Sequence, residues 1–277
     1  MAVACIASLG WAYPVKVRDS RGKDVLIKAR PMRIVSLAPN ITEILYAIGA
    51  GDRIVAVTSY CNYPPEAAKK PKVGDMRTTA EAVLAMKPDL VIAHALMNAT
   101  LIVQLENLHK TVFAMDPKTI SQTETDIQTI GRIVGRPDAA KSVVAKMQSG
   151  IAAAKTARAG KKSESVMVVI QSNPLWVAGP STFIDEMLKL ANAKNIAWDA
   201  RPGFVTFSRE LAISRNPSVI VVGSKSDQSF FLAGPVWKNT SAAKNKRVYI
   251  INNDLLVRPG PRLVDGLKEI VRRLNKK

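Results

Sequence analysis

Reactive side chains are scarce in this chain. Its 277 residues hold two histidines, His94 and His109, and two cysteines, Cys5 and Cys61. A catalytic triad or a multi-histidine metal site has little to draw on, and two thiols give no disulfide framework. There is no G-x-S-x-G elbow, P-loop, GxGxxG fingerprint or H-E-x-x-H pair. An enzyme would have to build a metal-centred site from residues such as Asp75, His94 and Asp254, and no enzymatic activity is expected. Aromatic residues are 5% of the chain and do not interleave with the basic runs, which removes the stacking platform that single-stranded nucleic acid requires. Helix-turn-helix, zinc-finger and RNA-recognition signatures are also missing, so no nucleic-acid partner is expected. Beyond the first residues no apolar run reaches the roughly 18 residues of a membrane span. Acidic residues are few: 22 Asp and Glu face 40 Lys and Arg, leaving a net charge of +18. Such a field attracts polyanions, anionic lipid or anionic ligands. The lysines are nevertheless scattered, with short runs at "AKKPK", "AGKKSE", "AAKNKR" and "LNKK".

What is present begins with "MAVACIASLGWA", residues 1–12, uncharged, apolar and ending in small residues. This reads as a secretory signal lacking its basic start; the alternative is a buried first strand or short helix. An exported, periplasmic protein is expected, with a lipid-anchored form as a variant because Cys5 lies in a weak lipoprotein-type context. Cys61 reads as a packed small residue.

Short apolar runs alternate with helical patterns, the mark of βα units and a mostly parallel sheet. "RIVSL" (33–37), "RIVAVT" (53–58) and "DLVIA" (89–93) are expected strands. Asn40 is placed to cap a helix carrying Glu43 at its third position. The two halves echo each other: "EAVLAMKPDLVIA" (81–93) and "ELAISRNPSVIVV" (210–222) share a leading Glu, an apolar helical pattern, a Pro seven residues on and a strand. Between the halves, Ala140, Val143, Val144, Met147, Ile151 and Ala154 fall at helical spacing. A helix over 138–162 serves either as a stiff crossover or as a packing helix of the first lobe. The expected fold is α/β: two similar lobes, 13–137 and 163–277, each a mostly parallel sheet flanked by helices, joined by that single long helix, with a ligand cleft between them. "PRLVDGLKEIVRRLN" closes the chain as a helix with Pro261 in its first turn.

Loops after the expected strands carry Asn40, Tyr60, Asn62, His94, Asn173, Leu175, Trp176, Asp227, Asp254 and Arg258. Open α/β sheets place ligands at those ends. Converging loops without a nucleophile or base describe binding rather than catalysis. His94 is open to two readings, a hydrogen-bonded structural residue or a ligand contact that includes an axial bond to a haem or corrinoid metal. His109 reads as a surface residue at a helix C-terminus.

From "RPMRIVSLAPNITEILYAIGAGDRIVAVTSYCNYPPEA" to "RPGPRLVDGL", the chain resembles the periplasmic substrate-binding proteins of iron-siderophore, haem and cobalamin ABC importers, the class whose lobes are tied by one long helix, and within it the cobalamin-binding members. The resemblance implies ligand contacts at Tyr60 of "SYCNYPP", Trp176 of "SNPLW", Phe204 of "PGFVTFSRE", and Asp254 and Arg258 of "NNDLLVRPGPR". Trp176 and Phe204 could instead be lobe core, and Arg258 a solvated charge. Asp75 and His94 stand where cobalamin-binding members have tryptophans, and "GDMR" lacks the tyrosine of haem-binding relatives. For a ferric siderophore, Arg77 becomes a candidate contact, or else a plain surface charge. Glu81 and Glu210 fall where the family docks on its permease; for Glu81 a capping box with Thr78 is the local alternative. The implied partners are an ABC permease with its ATPase and a small metal-chelate ligand. A monomer without a resident cofactor or metal is expected.

Overall fold

A computed structural model describes residues 12–75 and 77–276. The expected signal segment, Ala12 excepted, lies outside them. The chain divides into two compact units, one of residues up to 116 with 127–141, the other of 117–126 with 142 onward. This is less simple than a cut at 137. Helix α5 (Ile120–Ile133) starts in the second unit, where Ile120 joins the apolar core and its N–H donates to Glu186 Oε2 at 2.7 Å. It ends in the first unit, where Ile127, Ile130 and Ile133 are fully buried. The expected long helix, α6 (Pro137–Arg158, 22 residues), starts in the first unit and runs into the second.

The first unit opens with an antiparallel hairpin, β1 (Val15–Arg18) and β2 (Asp24–Ile27), which the sequence reading missed. Its turn is organised by Asp19, which accepts bonds from the backbone N–H groups of Arg21 and Lys23. Then follow β3 (Ile34–Ser36), α1 (Pro39–Ala47), β4 (Ile54–Val57), α2 (Pro65–Ala68), α3 (Ala80–Ala85), β5 (Leu90–His94), α4 (Ala99–Asn107) and β6 (Val112–Met115). β3 to β6 form a parallel sheet in the order β4-β3-β5-β6. Strands covered on both faces are expected to be near-continuous apolar runs, and Val35, Ala56, Val91, Ala93, Val112 and Ala114 lie in one buried cluster.

Helix α1 corrects one reading. Its N-cap is Ala38, with Pro39 in the first turn, so Asn40 sits inside the helix and is buried. Proline suits that place because its fixed φ matches the helix and its missing N–H would have gone unpaired there.

The second unit continues with β7 (Glu164–Gln171), β8 (Trp176–Ala178), α7 (Phe183–Leu190), β9 (Ala193–Asn195), β10 (Phe204–Thr206), α8 (Arg209–Ser214), β11 (Val219–Val222), α9 (Lys225–Ala233), α10 (Ser241–Lys244), β12 (Val248–Ile250), α11 (Asn253–Val257) and α12 (Leu263–Leu274). Its parallel strands run β9-β7-β11-β12, which repeats the first unit's order strand for strand. β8 and β10 are additional and antiparallel. β7 is long enough to pair with β9 through Glu164–Val166 and with β8 through Val169 and Gln171. In α12, Leu263, Val264, Leu267, Ile270, Val271 and Leu274 make the buried stripe. The cap is Arg262, so Pro261 precedes the helix instead of opening it.

Candidate ligand-binding site

In both units the first parallel strand connects to a neighbour on one side and the chain then crosses to the other side. The carboxyl ends of β3 and β5, and of β7 and β11, therefore flank a topological switch point, where parallel sheets leave a crevice for ligands.

In the first unit the loop after β4 exposes Tyr60, at 53% of its surface. Beneath it Cys61 is buried, its sulfur 3.2 Å from the hydroxyls of both Thr42 and Thr58. The thiol is thus a packing element of the loop. Asp75 and Arg77 occupy an exposed turn, in which the Asp75 carboxylate accepts the Arg77 N–H at 2.8 Å and its carbonyl accepts the Thr78 hydroxyl. His94, the last residue of β5, uses both ring nitrogens. Nδ1 accepts from the N–H groups of Leu96 and Met97, at 3.3 Å each, and Nε2 lies 3.3 Å from Asp116 Oδ1. An Nδ1 that accepts is unprotonated, so the ring is the Nε2–H tautomer in this arrangement. The consequence is a fixed turn that holds Leu96 and Met97 outward, 69% and 63% exposed. They line a recess of about 250 Å³ with Thr78, Asn98 and Gln104. The sequence reading passed over both; the available signal was two large apolar residues between a strand end and a helix cap.

In the second unit Trp176 opens β8 and Phe204 opens β10. The antiparallel register sets Trp176 against Thr206 and Phe204 against Ala178. Trp176 and Phe204 are thus diagonal neighbours on one face of the ribbon, within reach of large side chains. Val177 and Val205 point the other way, into the core. Both aromatics are exposed, 41% and 39%, so neither is lobe core. Phe183 supports Phe204 edge-on at 6.1 Å. Leu175, grouped with the loop residues in the sequence reading, is buried in that same core. Asn173 is exposed beside the ribbon and its Oδ1 accepts from Arg209 Nη2 at 2.5 Å. Asp254, in the first turn of α11, pairs with Arg258 at 2.8 Å, both partly buried. Asp227 accepts from the capping hydroxyl of Ser224 at the start of α9.

Glu81 and Glu210 have matching surroundings. Each follows a capping hydroxyl by two residues: Thr79 Oγ1 accepts from Ala82 N–H, and Ser208 Oγ from Leu211 N–H. The cap of α3 is Thr79, not the Thr78 of a capping box, because the Thr78 hydroxyl is committed to Asp75. Each carboxyl is held below the usual range, first by its own backbone N–H and then by the capping hydroxyl. Both side chains are fully exposed.

Among the described residues no group of three His, Cys, Asp or Glu side chains could hold a metal ion. No helix among them is long and apolar enough to cross a membrane.

Residues 34–255 match the periplasmic binding protein family, and the chain belongs to it. It is 36% identical over 266 residues, 93% of this chain and 84% of the relative, to the uncharacterized ABC transporter substrate-binding lipoprotein YvrC of Bacillus subtilis (strain 168). It is 30% identical to the vitamin B12-binding protein of Pectobacterium carotovorum subsp. carotovorum (strain PC1), covering 89% of each chain. The periplasmic heme-binding protein RhuT of Roseiflexus sp. RS-1, in apo form, superposes with a TM-score of 0.78 at 30% identity, over 87% of this chain and 97% of that one. The protein is an ABC-transporter substrate-binding protein, and its relatives include binders of vitamin B12 and of haem.

Proposed function

We propose that this protein is exported, captures a corrinoid of the cobalamin type and delivers it to an ABC permease, with no covalent chemistry. The observation that carries the ligand assignment is the pair Trp176 and Phe204, two flat apolar side chains held outward on one face of the β8–β10 ribbon. A globular protein leaves such rings exposed together when something covers them, and a corrin ring offers a flat, largely apolar partner. Tyr60 and the Leu96–Met97 turn supply further apolar contact on the first unit, where Asp75 and His94 replace aromatic walls. His94 acts by holding that turn. Asp254, Arg258, Asn173 and Arg77 are the polar groups for amide and phosphate substituents, whereas Asn40, buried inside α1, is not among them. Glu81 and Glu210, alike in setting, are the permease contacts, where an exposed carboxylate steers and orients docking.

A second reading, haem or a ferric siderophore, is supported by the haem-binding relative and by the surplus of positive charge, which suits anionic chelates. Titration with cyanocobalamin, haemin and a ferric hydroxamate, followed by tryptophan fluorescence, separates the readings. Cyanocobalamin should quench, and the W176F variant should lose most of that quenching. Quenching by haemin or the hydroxamate alone would transfer the assignment to the second reading, and silence with all three would reject the site. Charge reversal at Glu81 and Glu210 should impair uptake and leave ligand affinity unchanged; reduced affinity would reject the docking role.

A further inference from the structure

A recess of about 1330 Å³ in the second unit is not at the strand-end loops. It lies at the amino edge of the same sheet, where Glu164 begins β7, Ser218 precedes β11 and Arg247 precedes β12. β7 spans eight residues, roughly 26 Å, so the recess and the Trp176 ribbon sit at opposite ends of that strand. We propose that this recess is a second binding site, for a phosphate-bearing anion.

The recess holds more positive charge than the fold itself uses. Six cationic side chains line the recess against one carboxylate, Glu164. Arg158 is structural: it is buried, and its three nitrogens donate to Ala191 O, Asn275 Oδ1 and Lys162 O. Glu164 is consumed by Arg247, to which it is hydrogen-bonded, and lies 3.7 Å from Arg158. Four ammonium groups are left, Lys161, Lys162, Lys246 and Lys276, all on exposed residues. Arg247 Nε adds a buried donor with no hydrogen-bond partner among the described residues.

Helix ends account for part of this charge. Helices α6, α10 and α12 all end at this recess, and each helix C-terminus carries about half a negative charge. Three half charges fall short of four ammonium groups, so a positive surplus remains after the helix ends are neutralised. Clustered ammonium groups around a concave surface suit phosphate, with its several acceptor oxygens. No such arrangement is visible in the sequence, because Lys161 and Lys276 are far apart in the chain and only the sheet order brings their helix ends together.

The test uses the full chain at low ionic strength with two probes, inorganic tripolyphosphate and phosphatidylcholine vesicles with or without phosphatidylglycerol. The K161A/K162A/K246A/K276A variant is compared with K28A/K69A/K70A/K110A, which removes the same charge from the first unit. The expected result is binding of at least one phosphate probe, weakened tenfold or more in the first variant and less than threefold in the second. Tripolyphosphate binding without vesicle binding identifies a soluble oligophosphate, and phosphatidylglycerol-dependent vesicle binding identifies a lipid headgroup. Equal weakening in both variants, or no binding of either probe by the unaltered protein, overturns the proposal. Earlier melting of the first variant with undiminished binding would show that the lysines only neutralise helix ends, and overturns it as well.

Discussion

The two units share a four-stranded parallel frame with one strand order and differ in what is added to it. The first unit adds a hairpin, β1–β2, which is pinned to the end of β6 by the Ser20 N–H to Ala114 carbonyl bond at 3.0 Å. The second adds β8 and β10 to the carboxyl half of β7, and these carry Trp176 and Phe204. The frame is set by burial, so its strands are mostly Val, Ile, Leu and Ala. The addition is where side chains are free to serve a ligand. A duplicated frame therefore does not imply duplicated exposed surfaces: the second unit exposes two aromatic rings, and the first exposes Tyr60 and the apolar turn of Leu96 and Met97.

Removing the rings tests this difference between the units most directly. Each buried aromatic anchor at a binding surface is worth about 2 kcal/mol or more, roughly thirtyfold in affinity. W176A/F204A should therefore weaken cyanocobalamin binding roughly a hundredfold or more, by isothermal titration, while L96A/M97A should cost less. Equal losses would mean that the two units contribute alike. The next effect is on the ribbon itself. Gly179 donates its N–H to Gly203 O at 2.9 Å, and a Cβ there would lie 2.7 Å from that oxygen and 3.0 Å from Arg201 O. Both are backbone atoms, so the clash cannot be relieved by a rotamer. G179A should destabilise the fold by about 1–3 kcal/mol and weaken ligand binding with it, whereas alanine at Gly160, with nothing within 4 Å of the added Cβ but a φ of +68°, should cost about 1 kcal/mol through backbone strain and leave affinity intact.

Much of the frame is legible in the sequence because its signals are strong and long. "RIVAVT" and "DLVIA" are continuous apolar runs, and the stripe of α12 recurs over a dozen residues. The hairpin is less so: Val15, Val17, Val25 and Ile27 alternate with charged or exposed residues, yet each strand has four residues, and the surrounding "KVRDSRGKD" reads as a polar loop. β8 and β10 have three residues each, too few for any period to show, and their importance rests on pairing across some 28 positions. Helix caps failed for a local reason. Asn40 and Thr78 are good capping residues by type, but Pro39 moved one helix start and the hydrogen bond to Asp75 O diverted the other. Among site residues, exposure of Trp176 and Phe204 needed the ribbon's register, and the tautomer of His94 needed the geometry of two backbone N–H groups.

The smallest expected effect tests the feature in which the units agree. Glu81 and Glu210 have carboxyls lowered by the same two leading causes, a backbone N–H first and a capping hydroxyl second, with the charge of Arg209 adding a smaller lowering at Glu210 alone. A folded-state value below the unfolded one means that each carboxylate's stabilisation is fully present above the ordinary carboxylate range, about 4.3, and is lost as pH falls through the folded value. Both groups should therefore stay ionised through the mildly acidic range, ready for a cationic docking partner. T79A and S208A remove the hydroxyls. Each should cost about 1 kcal/mol from loss of a helix cap, and each should move its own glutamate upward in a carboxyl-carbon NMR titration while leaving the other unchanged. The upward movement should be partial, because the larger cause, the backbone N–H, remains. A full return to the ordinary value in one unit and none in the other would show that the matching geometry hides different electrostatics.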